Sequence, residues 1–271
     1  MRPLKTELKR WGRLVVLFIG LSGIIIPNEL NAMLPHLIGS NSLKDFTIVE
    51  LWVTLYNNPL FTTFTFIPLS LGLMILSSCF REINSDLFYC YLIRHETTTS
   101  YLFEKIMMIV KQSTIYFVAF NVISLLVWRI GGAEFSTELR FGNFFNQIHE
   151  GSSGVIFVQM GLQMYLGMIL IGLLVGGLFL VVKRRYIVVF ALLGLTLVHS
   201  VAFVLGLDGV LSLLPYTQMV YILVTDIEQI VNYYSPIVQV GMLLSYIGLV
   251  ILMLDQLFKR TTLLISQQGD D

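Results

Sequence analysis

The chain has 271 residues, 56% of them hydrophobic and 13% charged, with 17 basic side chains balanced by 17 acidic ones and a mean hydropathy of +0.79. A soluble domain of this size would lack the polar surface to cover so large an apolar content, so the composition places the chain in the bilayer. Zero net charge gives no ground for nucleic-acid binding or for an acidic partner.

At the start, Leu4, Leu8, Trp11 and Val15 recur at helical spacing, with Lys5, Lys9, Arg10 and Arg13 on the other faces. This is the pattern of an amphipathic N-terminal interfacial helix with its Trp at headgroup depth, and equally of a charged flank that only orients the first span. The apolar run from Leu14 passes through Pro27-Asn28-Glu29-Leu30 with no small-x-small cleavage site. It predicts an uncleaved span over 14–36 rather than a signal peptide.

A spanning helix needs about 20 mostly apolar residues, and five further windows qualify: 59–80, 106–129, 154–182, 186–206 and 236–257. Each is expected to be helical, because backbone polar groups in lipid must be satisfied within the segment. The expected fold is an all-α membrane protein of six transmembrane helices forming a single domain over 1–271. Thirteen basic residues fall before the first span, in 81–105, at 183–185 and after the sixth span, against three (Lys44, Arg129, Arg140) on the opposite side. That bias predicts a multi-pass protein of the cell membrane with both termini cytoplasmic.

The remaining outer segments, 37–58 and 130–153, are too short for cores of their own. The segment 207–235 differs from them. It is apolar, lacks Lys and Arg, and is broken by Pro215. It is too short to span and too apolar to be solvated, which predicts re-entrant or interfacial half-helices before the last span. A seventh span would place Lys259 and Arg260 outside.

No G-x-x-x-x-G-K-[ST], H-E-x-x-H, C-x-x-C or G-x-S-x-G motif occurs, so neither a nucleotide site of that kind nor a catalytic residue is predicted. His36, His95, His149 and His199 fall on different expected levels, which speaks against a metal site. Cys79 and Cys90 both lie toward the cytoplasmic face, where a structural disulfide is not expected.

Ionisable residues within the spans are Glu29, Lys111, His199 and Asp255. Lys111 and Asp255 sit near the cytoplasmic ends of their spans and can reach water. Glu29, close to Asn28 and Asn31, either lines a polar cavity or marks where the first span leaves the bilayer. His199 lies deepest and is expected as a neutral imidazole bonded to a neighbouring helix. Glu29, Asn31 and His199 are therefore the possible pathway residues. In the fourth span, Gly172 and Gly176 form a small-xxx-small face for close helix packing.

Between the second and third spans stand Glu82, the apolar segment Asp86–Leu92, Arg94 and Lys105. This arrangement resembles the ABC-2 type exporter permeases, in which an acidic residue, a Gly-Thr-led short helix, Pro-x-Ser-Arg and a Lys occupy the same places. Here Asn84-Ser85-Asp86 replaces the Gly-Thr pair and the Pro is absent. The layout of an N-terminal amphipathic helix, six spans and a re-entrant segment before the last is also similar. The resemblance implies a coupling helix, with Glu82, Asp86, Leu87, Phe88, Tyr91, Leu92, Arg94 and Lys105 contacting a separate ATPase that holds ATP and Mg. It also implies a second permease copy or a sister permease, with cargo crossing between the halves; the weakly charged, strongly aromatic composition suits an amphipathic or lipid-like cargo, a peptide or bacteriocin first, a lipid-linked compound or drug next. An intramembrane enzyme would need ionisable residues converging at one depth, which the sequence does not supply. A non-transporting sensor or assembly subunit is the alternative.

Overall fold

The computed structural model describes residues 46–56, 66–83, 98–136, 153–219, 223–226, 229–231 and 236–267. The expected interfacial helix and first span lie outside them. The described chain is mostly helical, and its long elements arise where the apolar windows fall. They are α1 (Ile48–Tyr56), α2 (Ile67–Ile83), α3 (Thr98–Ile130), α4 (Ser153–Val182), α5 (Arg185–Val204), the single turn α6 (Asp208–Leu211) and α7 (Pro236–Gln267). A 3-10 turn, Thr217–Met219, and a small antiparallel hairpin of β1 (Leu223–Asp226) and β2 (Gln229–Val231) lie between α6 and α7. The hairpin is a departure from the expected all-α chain.

Four of these helices are long and apolar enough to cross a membrane: Ser100–Ile130, Val158–Val182, Arg185–Val204 and Ile237–Leu257. The apolar part of α2, Ile67–Cys79, is shorter, and residues 59–65 of the expected second span are not described. The 20 residues of α5 measure about 30 Å, the thickness of the hydrocarbon core. The 33 residues of α3 measure about 50 Å and so extend well past it.

The bundle is built around α4. It carries no charged side chain, is apolar on every side, and packs against α1, α2, α3, α5 and α7. Within its apolar window 67% of the residues are buried, against 17% in α7. Its small residues explain the central position. A Cβ at Gly172 would stand 2.8 Å from Ile75 Cδ1, 2.8 Å from Ser113 Oγ and 2.9 Å from Ile109 Cγ2, so the α2 and α3 side chains fill the space a larger residue would need. At Gly176 the same Ile109 closes in to 2.5 Å. The outer faces of α3 and α5 are apolar and exposed, with Phe103, Ile115, Val122, Phe190, Leu197 and Val201 among them, as lipid-facing rows are.

Local signals set the helix ends. The α4–α5 connection is only Lys183-Arg184. Lys183 turns the chain with φ +57°, while its N–H still reaches Phe179 O at 2.8 Å, and Arg184 is extended. At the other end of α5 the chain turns at Gly206, with φ +63°. Gly206 N–H donates to Phe203 O (3.1 Å) and Leu207 N–H to Ala202 O (2.9 Å), the paired bonds of a Schellman cap.

The segment read as an outer loop over 37–58 contains a buried helix. Thr47 and Glu50 close α1 reciprocally: Thr47 N–H donates to Glu50 Oε2 at 2.8 Å, and Glu50 N–H donates to Thr47 Oγ1 at 3.2 Å. This is a capping box, and it satisfies two groups the first turn leaves without helical partners. The chain just before α1 pairs with the chain after α3, through Ile48 N–H to Glu134 O (3.0 Å) and Glu134 N–H to Phe46 O (3.2 Å).

Candidate functional site

The polar interior of the described bundle gathers where the chain between α5 and α7 turns back onto it. Pro215 starts this arrangement. With no N–H and a ring that clashes with the preceding turn, it stops the helical path begun at α6, and the backbone groups around it must bond elsewhere. Side chains take the place of the missing helical bonds. Gln218 Nε2 donates to Ser212 O at 2.6 Å, and Tyr246 Oη, from α7, donates to Leu213 O at 2.8 Å. Tyr216 N–H, the first donor after the proline, is accepted by His199 Nε2 at 3.0 Å.

That last bond fixes the chemistry of His199. A backbone N–H can only donate, so Nε2 carries no proton, and Nδ1–H donates to Leu195 O at 2.7 Å. His199 is fully buried as the neutral Nδ1–H tautomer, and its ring stacks on that of Tyr216 with centroids 4.2 Å apart. Protonating Nε2 would break the contact that holds the returning chain. The imidazole is a structural acceptor for a broken backbone, where the sequence led to the expectation of a bond to a helix.

Beside it, Met219 occupies the space that a side chain at Gly167 of α4 would need. One turn along the same face of α4, Gln163 Nε2 donates to Gln239 Oε1 of α7 at 2.8 Å, and both residues are buried. Four further polar atoms here are buried and have no hydrogen-bond partner among the described residues. They are Tyr216 Oη, Thr217 Oγ1, Gln218 Oε1 and, on the His199 face of α5, Thr196 Oγ1. Each such atom costs about 1–3 kcal/mol when dry, so four together cost about 4–12 kcal/mol, comparable with the whole stability of a domain. Through all of α4, and in α7 as far as Leu254, no Asp, Glu, Lys or Arg occurs. The cluster is polar yet without formal charge.

A second polar knot joins α1 to α3. Asn121 Oδ1 accepts from Trp52 Nε1 at 2.7 Å and from Tyr56 Oη, while its own Nδ2 donates to Phe117 O at 2.8 Å. Burial pushes the Tyr56 phenol far above the usual tyrosine range, and the bond to Asn121 offsets only part of that.

Of the residues singled out in the sequence, Gly172 and Gly176 lie where α2, α3 and α4 meet. Lys105 is buried in α3, with Nζ 5.0 Å from the centroid of the Tyr101 ring, a cation–π distance. Glu82 falls in the last turn of α2. Asp86, Leu87, Phe88, Tyr91, Leu92 and Arg94 of the expected coupling helix, and Glu29 and Asn31 of the expected pathway, lie outside the described residues. His199 is therefore the one expected pathway residue placed in the polar cluster. Lys111 is exposed on α3 and Asp255 half-buried on α7. Among the described residues no group of three or more His, Cys, Asp or Glu is placed to hold a metal, and Cys79 is buried.

Sequence reasoning missed Gln163, Thr196, Tyr216, Thr217, Gln218 and Gln239, because uncharged polar side chains give little signal in apolar runs and turns. Two glutamines inside apolar runs were the available signal. Compared with family models, with curated proteins and with solved structures, the chain matches none.

Proposed function

We propose that the chain is the permease subunit of an ATP-driven ABC exporter, working with a separate ATPase subunit that binds ATP and Mg, and moving an amphipathic or hydrophobic cargo. A peptide or bacteriocin is the first choice, a lipid-linked compound or drug the next. The reading is supported by multi-pass helical architecture and by the resemblance at Glu82, Asp86–Leu92, Arg94 and Lys105. The observation that carries it is the stretch 212–219: irregular backbone, broken at Pro215, with Tyr216–Met219 buried against α4, α5 and α7 and the stretch tied down by His199, Gln218 and Tyr246. In a membrane bundle, backbone of this kind is tolerated only where protein buries it or where it lines a polar cavity. The resemblance implies a re-entrant segment at the same place, before the last helix. Both termini are then cytoplasmic, and a dimer of permeases, identical or paired with a sister subunit, encloses the route.

The test is purification from the native membrane in mild detergent, with identification of the partners and an ATPase assay on the eluate. A stoichiometric nucleotide-binding subunit is expected, together with a second permease. Phe88→Asp is expected to abolish its association while leaving membrane insertion intact. Recovery of the chain alone, without ATPase activity, would favour a sensor or assembly subunit, and retained association in Phe88→Asp would remove 86–92 from the coupling role.

A further inference from the structure

The polar cluster beside Pro215 has a property that neither packing nor the exporter reading requires. Tyr216 Oη, Thr217 Oγ1, Gln218 Oε1 and Thr196 Oγ1 are buried and unpartnered among the described residues, although their own neighbours are well satisfied. Other polar groups of the same stretch are paired. Gln218 Nε2 finds Ser212 O, Tyr216 N–H finds His199, and Met219 seals against Gly167. Four such atoms, three on consecutive residues and one on the α5 face that carries His199, point to a partner other than the described protein groups.

We propose that Thr196 and Tyr216–Gln218 form a hydrogen-bonding site for an uncharged ligand, with ordered water as its resident occupant. The chemistry of the unpartnered atoms fits such an occupant. Three are hydroxyls, which both donate and accept, and the fourth is an amide oxygen, which only accepts. Water bonds to both kinds, and buried water typically makes about three hydrogen bonds to polar groups of this sort. An ion is a poor fit. His199 is held neutral by its two bonds, and the stretch 186–204 of α5 and the stretch 209–219 carry no Asp, Glu, Lys or Arg. A bare charge would have no counter-charge there to offset its desolvation. Asp208, at the start of α6, is exposed. The inference stands on these atoms and does not depend on the presence of an ATPase partner.

The experiment is hydroxyl-radical footprinting of the full chain in lipid nanodiscs, reading oxidation of individual tyrosines by mass spectrometry. Radicals generated from water modify a buried ring only where water touches it. Tyr216 and Tyr116 are matched for the comparison, 1% and 0% exposed respectively, but Tyr116 Oη is bonded to Ser70 Oγ while Tyr216 Oη has no partner among the described residues. Tyr216 is expected to oxidise on the order of tenfold faster than Tyr116, because an ordered water persists beside it. The double variant Thr196→Val with Thr217→Val keeps side-chain shape, leaves every bond named above in place, and is expected to abolish that excess while Tyr116 stays unchanged. Equal, slow oxidation of Tyr216 and Tyr116 in the unaltered chain would overturn the proposal. So would an excess at Tyr216 that persists in a folded double variant. Should the double variant fail to fold, the comparison within the unaltered chain decides.

Discussion

Gly172 offers the sharpest test of how the bundle is held together. Replacing it with Ala adds one methyl group at the point where Ile75 Cδ1, Ser113 Oγ and Ile109 Cγ2 all stand within 2.9 Å of the new Cβ. Ile75 Cδ1 is the end of a flexible side chain and can swing away. Ile109 Cγ2 branches directly from Cβ and can move aside only by a χ1 change that a helix disfavours, so the strain falls on the separation of α3 from α4. Overpacking of this kind costs about 1–3 kcal/mol. The same change at Gly194 of α5, which has nothing within 4 Å of the added atom, carries the same helix-propensity gain without the crowding. Comparing the two variants cancels propensity and leaves about 2 kcal/mol of crowding. At about 2–4 °C per kcal/mol for a chain of this size, Gly172→Ala should melt about 4–8 °C below Gly194→Ala. Thermal unfolding in nanodiscs, followed by circular dichroism, reads the difference. Equal midpoints would refute close packing of α2, α3 and α4 at Gly172.

Other consequences follow from the polar contacts. Asn121→Leu leaves the buried Trp52 and Tyr56 donors without their shared acceptor and should cost roughly 2–6 kcal/mol, seen as a lowered unfolding midpoint. Thr47→Ala removes one half of the α1 capping box and should cost about 1 kcal/mol, with faster amide exchange confined to the first turn of α1. His199→Phe preserves a ring against Tyr216 but deletes the acceptor of Tyr216 N–H, at a cost of about 1–3 kcal/mol, and should accelerate exchange at that amide; unchanged exchange would deny His199 its anchoring role.

Hydropathy alone located the long helices well. The windows 154–182 and 186–206 meet Ser153–Val182 and Arg185–Val204 almost residue for residue, because a basic turn and a glycine mark their ends. The window 106–129 fell short of Thr98–Ile130, since the first turns of α3 carry Glu104 and Lys105 and dilute the apolar signal although they continue the helix. Likewise α7 runs on to Gln267, past the apolar run that ends near 257. The capping signature Thr47-Ile48-Val49-Glu50 is present in the sequence, but α1 behind it is only nine residues long and so gives no spanning signal. The site was far less legible. Tyr216, Thr217 and Gln218 look like ordinary turn residues, and they acquire meaning only when Pro215 turns the chain so that His199, seventeen positions earlier, becomes an acceptor for the backbone. No periodicity in the sequence encodes a contact of that kind.

The central position of α4 has a consequence for how the molecule is made. Among its main neighbours is α7, which leaves the ribosome later by about 50 residues, the stretch between Val182 and Pro236. At about 5–20 residues per second, α4 waits roughly 3–10 s before the partner of Gln163 arrives. A helix with a charged seam would be expelled from lipid or captured by a wrong neighbour in that interval. A segment apolar all round, with two glutamines as its most polar side chains, can be held in the bilayer half-assembled until the last helix docks.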